Sequence, residues 1–214
     1  MGDGTVKDND AINNELSEIH LDVLKEIGNV GLGNAATSLA AMLNKKVDMD
    51  VPSTKFVSMD KAMEMAGGLE ELVSCVALRV EGDITAQVLF MFGEKSSYYL
   101  IDMLMGMNKG TTVQMDEVSQ SAIQEIANML TGAFLSAIST MTGLKMSPNV
   151  PMFAFDMLGA VLSTSLIEGG YVDDHILMVE TVMFEEGKSI NGKFFFITKK
   201  ESLNKLFEAL GISI

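Results

Sequence analysis

The sequence predicts an α/β protein made by internal duplication with pseudo-two-fold symmetry, two long motif-bearing helices packing on a mainly antiparallel sheet. Three observations carry this prediction. Two charge-free stretches, Ile27 to Asn44 and Ile126 to Leu144, have helical apolar spacing. Val73–Glu81 and Ile84–Phe92 alternate apolar and polar residues around Gly82-Asp83, the pattern of a β-hairpin. Finally, the chain aligns with itself without a gap at a shift of 99 residues. Over residues 22 to 52 the identical pairs are Glu26/Glu125, Ile27/Ile126, Asn29/Asn128, Gly33/Gly132, Met42/Met141, Lys46/Lys145, Val51/Val150 and Pro52/Pro151. Glu, Asn and Pro recurring at fixed spacing exceed what local packing demands, so duplication is the simplest reading.

In chain order, residues 1–17 are rich in Asp, Asn and Gly without apolar periodicity and predict a mobile tail. A helix follows from Ser17 to about Asn44. Val47–Val51 reads as a strand ended by Pro52, and Thr54–Met59 as a second short strand. After the hairpin, Ser96–Met105 is helical and Gly106–Thr112 a polar connector. The order then restarts: a helix over Asp116–Gly143, a segment Lys145–Val150 before Pro151, and Phe153–Ile167, which fits strand or helix equally. Ile176–Phe184 and Lys193–Thr198 form a second hairpin pattern across Glu185–Gly192, and Lys200–Leu210 closes as a helix. The expected organisation is one domain, 18–214, made of repeats 18–112 and 113–214.

Composition narrows the function classes. Fifteen Lys plus Arg against 29 Asp plus Glu give a net charge of −14. That excludes a phosphate-backbone binder and a polybasic membrane dock. The two charge-free stretches approach membrane-spanning length, but each holds Asn with Ser, Thr and Gly and ends on a Lys-containing turn. They read as buried amphipathic helices, with no membrane insertion. A single cysteine, Cys75, excludes an internal disulfide and reads as a small apolar strand residue. The start lacks the basic and apolar regions of a signal peptide, so the expected compartment is the cytoplasm.

On a helix, positions 22, 26, 29 and 33 share one stripe. The first copy places Asp22, Glu26, Asn29 and Gly33 there, and the second Ser121, Glu125, Asn128 and Gly132. The opposite stripe, Leu24, Gly28, Gly31, Ala35 and Met42, or Ile123, Ala127, Leu130, Phe134 and Met141, is the expected core face. A single exposed Glu/Asn pair is ordinary solvated surface. Mid-helix Asn and Gly, however, cost about 0.5 and about 1 kcal/mol relative to Ala. Their retention in both copies is unexplained by stability and marks a site, with glycine leaving room for another backbone to approach.

Asp/Ser, then Glu four residues on, Asn three further and Pro after twenty-two more occurs twice: Asp22–Glu26–Asn29–Pro52 and Ser121–Glu125–Asn128–Pro151. With the surrounding KEIGNVGLGNAATSLA and QEIANMLTGAFLSAIS, this resembles the CheC/CheX/FliY phosphatase family of bacterial and archaeal chemotaxis, over about residues 18 to 214. The resemblance implies a phosphatase of phosphorylated CheY or a CheY-like receiver. Carried over, Asn29 and Asn128 would orient the attacking water. Glu26 and Glu125 would pair with the regulator's Lys, and Asp22 and Ser121 would lie at the edge of the contact. Pro52 and Pro151 are read as fixing a turn between strands. The chain would need no cofactor of its own, Mg²⁺ being expected in the bound regulator. Two intact motifs favour the CheC branch over single-motif CheX, and the lack of further sequence after Ile214 argues against FliY. The resemblance also implies the deamidase CheD as a partner.

Competing readings are weaker. Gly28 to Gly33 has neither the spacing nor the preceding strand of a nucleotide loop. Glu26 with Glu125 as a glycosidase pair would lack a cleft and sugar-stacking aromatics. His20, His175 and Asp173-Asp174 are isolated. The rival from another class is a non-catalytic module that docks CheY or sequesters CheD through the same stripes.

Overall fold

A computed structural model of the chain describes residues 18–43, 46–57, 59–65, 68–169, 176–185 and 188–212. The expected tail, His175 and Asp173-Asp174 lie outside them. The elements run α1 (Glu18–Leu43), β1 (Val47–Val57), α2 (Met59–Met65), β2 (Leu72–Gly82), β3 (Ala86–Gly93) and α3 (Glu94–Leu104). They continue with α4 (Glu117–Thr142), β4 (Met146–Pro148), β5 (Met152–Met157), α5 (Leu158–Gly169), β6 (Ile176–Glu185), β7 (Lys188–Thr198) and α6 (Lys200–Ala209).

The duplication is visible in the element boundaries. Helices α1 and α4 both have 26 residues and start 99 positions apart. The same offset relates the starts of β1 and β4, and of α2 and α5. It lapses afterwards because α5 has 12 residues where α2 has 7.

One antiparallel sheet joins the copies in the order β1-β6-β7-β3-β2, with β4 and β5 both pairing with β2. The pairing of β3 with β7, from Ala86↔Thr198 to Phe92↔Gly192, is its centre. On either side the order is symmetric, and each outer strand pairs with the hairpin of the other copy. Alternation along the strands feeds two cores. Val76, Leu78, Val88, Phe90, Phe194 and Phe196 face α1, α3, α4 and α6. Cys75, Leu89, Met91, Phe195 and Ile197 face α2 and α5. Burial on both faces explains why β3 reads as an almost unbroken apolar run, AQVLFMFG. Among the described residues, no helix is long and apolar enough to cross a membrane.

Several expectations need correction. Val47–Val57 is one strand, not two, because the ladder continues past Pro52 through a register shift between Asp50 and Ser53. Proline has no N–H to give a ladder, so the irregularity sits there. In the second copy the equivalent Pro151 falls in the break between β4 and β5. Met59 begins α2 instead of ending a strand, and Phe153–Ile167 is divided between β5 and α5. Strand β7 starts at Lys188, earlier than the expected Lys193. Met42 and Met141 are 48% and 39% exposed, although their stripe is otherwise buried. Spacing gives a side chain's direction and not its depth, and both lie in the final turn beside the exposed Ala41 and Thr140.

The end of α4 is firmly defined. At its start the Asp116 carboxylate accepts the Ser119 N–H at 2.8 Å, and Gly143 ends it at φ 74°. Lys145, two residues further on, is gripped by the first hairpin. Asp83 donates its N–H to the Lys145 carbonyl at 2.9 Å and accepts the Lys145 N–H on its side chain at 2.7 Å. Gly82, at φ 136°, leaves room for that carbonyl.

The connector into α4 is organised by Asp102. This buried carboxylate accepts N–H bonds from Gly110, Thr111 and Thr112 at 2.6, 3.2 and 2.8 Å. Burial pushes its pKa up, but the hydrogen bonds from Thr112, Gly110 and Thr111 outweigh this and hold it below the usual carboxylate value. A depressed folded-state pKa contributes stability above the unfolded value, and that contribution is lost as pH falls through the folded one. Asp102→Asn should therefore be less stable at neutral pH by about 1–3 kcal/mol. Urea denaturation should show the gap narrowing as pH falls below about 4.

Helices α1 and α4 pack on each other. A Cβ on Gly31 would stand 2.9 Å from the Phe134 Cα and 3.0 Å from its ring. Gly31→Ala should destabilise the fold by about 1–3 kcal/mol, read as a lower urea midpoint at unchanged m-value.

Candidate active site

Because Leu24, Ile27, Gly28, Gly31, Leu32 and Ala35 are buried, the other side of α1 is turned to solvent. Asp22, Glu26, Asn29 and Gly33 all lie on that exposed side. In α4 the buried Ile123, Ile126, Ala127, Leu130 and Phe134 turn Ser121, Glu125 and Asn128 outward, with Gly132 half-buried among them. The structure thus brings all eight sequence-predicted residues onto two equivalent stripes. A Cβ on either Gly33 or Gly132 would meet nothing within 4 Å. These glycines are not packing devices, unlike Gly31.

The hydroxyls beside the stripes bond to their own helix. Ser121 donates to the Glu117 carbonyl at 2.9 Å and Thr37 to the Gly33 carbonyl at 3.1 Å. Gln124 donates from Nε2 to the Pro151 carbonyl at 3.4 Å, tying the motif proline to the turn of α4 that carries Glu125. This contact was not legible in the sequence, since the equivalent residue in the first copy is Lys25. Helical spacing also does not disclose that Ile19, Val30 and Val118 stand exposed on the same helices. The shift of 99 that pairs Ile19 with Val118 was the available signal.

Chemically, each stripe offers a carboxylate, and a neutral amide one turn further on that can donate and accept hydrogen bonds. An exposed helix face encloses no substrate, so any group it acted on would have to be presented by another macromolecule. Cys75 is no competing nucleophile: it is buried, and burial pushes its thiol up to about 12. Among the described residues, no three His, Cys, Asp or Glu side chains are grouped to hold a metal ion.

A pseudo-symmetric antiparallel sheet carrying two equivalent Glu/Asn helix stripes defines a duplicated α/β protein with two candidate sites. The chain belongs to the CheC-like family, whose model matches residues 19–55 and 118–153, the two segments that carry the stripes. It is 35% identical over 209 residues to a Bacillus subtilis (strain 168) protein named CheY-P phosphatase CheC, covering 95% of this chain and all of that one. It is 27% identical over 138 residues to the flagellar motor switch phosphatase FliY of the same organism, spanning 64% of this chain but 36% of FliY. The fold is similar to the crystal structure of Thermotoga maritima FliY, with a TM-score of 0.76 and 20% identity, covering 92% of this chain and 98% of that one.

Alanine is the better helix former by about 1 kcal/mol, and the space at both glycines is open. Gly33→Ala and Gly132→Ala should each raise stability by about 0.5–1 kcal/mol in urea denaturation. A lower stability instead would show that the glycines serve packing.

Proposed function

We propose that this protein is a phosphatase of the phosphorylated chemotaxis response regulator CheY, or of a CheY-like receiver domain, and that each motif helix carries one active site. The observation that carries this reading is the exposed Glu/Asn pair repeated at the same place on two helices. The 35% identical relative named CheY-P phosphatase CheC supports it. On this reading the reaction runs in the cytoplasm, and CheD is a second partner.

In the proposed reaction, the regulator's aspartyl phosphate is laid against the helix. Asn29 or Asn128 orients a water in line with the phosphorus. The P–O bond to the water forms, the bond to the aspartyl oxygen breaks, and the carboxylate leaves as inorganic phosphate departs. Phosphoryl transfer has a loose transition state, so a positioned water suffices without a strong base. A neutral amide adds no negative charge beside the phosphoryl oxygens, as a carboxylate in that place would. Positioning alone can lower the barrier by several kcal/mol. Glu26 and Glu125 would form ion pairs with the regulator's active-site Lys and fix the register. Asp22 and Ser121 would extend the contact, and the open Gly33 and Gly132 would let the regulator's backbone come close. The metal ion that shields the phosphoryl charge would be the regulator's Mg²⁺.

Loss of phosphate from phosphorylated CheY, followed in Mg²⁺ with and without the protein, tests the reading. Asn29→Ala and Asn128→Ala should each lower kcat, and the double variant should lose about 100-fold or more while still binding the regulator. Normal hydrolysis by the double variant would refute the site. Binding of the regulator by the wild type without faster phosphate loss would make this a docking module.

A further inference from the structure

We infer that Ile19 and Val118 are apolar anchors that seat the phosphorylated receiver domain on the two motif helices, an inference that rests on the phosphatase reading above. Both side chains stand in solvent, 63% and 59% exposed. Each is the second residue of its helix, and they are 99 positions apart. Each precedes its motif glutamate by seven residues, which is nearly two whole turns, so it shares the stripe of Glu26 or Glu125 about 10.5 Å along the axis. Val30, 39% exposed, flanks Asn29 on the same side of α1, and the half-buried Met129 takes that position in α4.

A single exposed aliphatic residue needs no explanation. Here, though, an exposed β-branched residue recurs at the same place beside both Glu/Asn pairs, while most neighbouring residues differ between the copies. A role in starting the helix does not account for it. In α4 the cap is Asp116, and the apolar residue just before it, Met115, already packs on the core. Val118 lies beyond both and points away.

The occupant follows from size. A stable protein interface covers about 800 Å² on each partner, a patch about 30 Å across. A receiver centred on Glu26, Asn29 and Gly33 therefore also covers Ile19, whereas a small phosphorylated molecule at the amide would not reach it. A partner reads a helix face through side chains at i, i+3, i+4 and i+7, and here Ile19 with Glu26, or Val118 with Glu125, stand at i and i+7. The glutamate and asparagine supply chemistry and register, and the aliphatic side chain supplies desolvated contact area.

The test is steady-state dephosphorylation of phosphorylated CheY by the full chain, comparing wild type, the double variant Ile19→Asp/Val118→Asp and the conservative Ile19→Leu/Val118→Leu. The Asp pair should raise KM about ten-fold with kcat within about two-fold, a pure binding loss. The Leu pair should keep the wild-type KM. Because both positions are exposed, the thermal midpoint should not move in either variant. Unchanged KM in the Asp variant, or a fall in kcat at unchanged KM, overturns the anchor role and leaves the phosphatase reading standing. A wild type that neither binds nor dephosphorylates the regulator overturns both.

Discussion

Everything in this fold depends on an exchange of outer strands. β1, which follows the first motif helix, pairs with β6 of the second copy, and β4 and β5, which follow the second motif helix, pair with β2 of the first. Neither copy therefore has a complete sheet of its own. Because each motif helix is tied by a short connection to a strand on the far hairpin, the two helices meet over the centre of the sheet. Their outward stripes are then held in a fixed pseudo-two-fold relation by backbone hydrogen bonds.

That frame makes the stripes stiff. Beneath α4, the Phe134 ring lies 4.5 Å from Phe194 and 5.9 Å from Phe196, both on the central strand β7. Close-packed aromatics of this kind leave a helix little freedom to roll, since interiors are packed near crystal density. The approach to α4 is set by Asp102, and its exit by the grip of Asp83 on Lys145. Under the proposed reaction, in which the site orients one water, this support matters because misplacement by about 1 Å can cost 100-fold in rate.

The motif helices were legible almost to the residue: the limits that apolar spacing predicts for α4, Asp116 and Gly143, are the residues that cap it. The stripes were legible because duplication supplied a control: what recurs without a packing reason stands out. Two kinds of feature escaped. Strand continuity through Pro52 depends on a register shift made with β6, more than a hundred residues away, which no local rule contains. Depth escaped as well: Met42 and Ile19 are set by where the helix ends and by what lies over it, and spacing records neither. Helix α2 fell in a stretch without clear periodicity, and its short length gives the pattern few turns in which to appear.

The close contact of Gly31 with Phe134 also bears on how the two halves came to depend on each other. Under the shift of 99, Gly31 corresponds to Leu130 and Phe134 to Ala35, so a small residue faces a large one in opposite senses across the pseudo-axis. Two first halves joined to each other would set Gly31 against Ala35 and leave a void. Two second halves would force Leu130 into Phe134. At this seam each copy's residues are therefore shaped to fit the other copy and not its own duplicate.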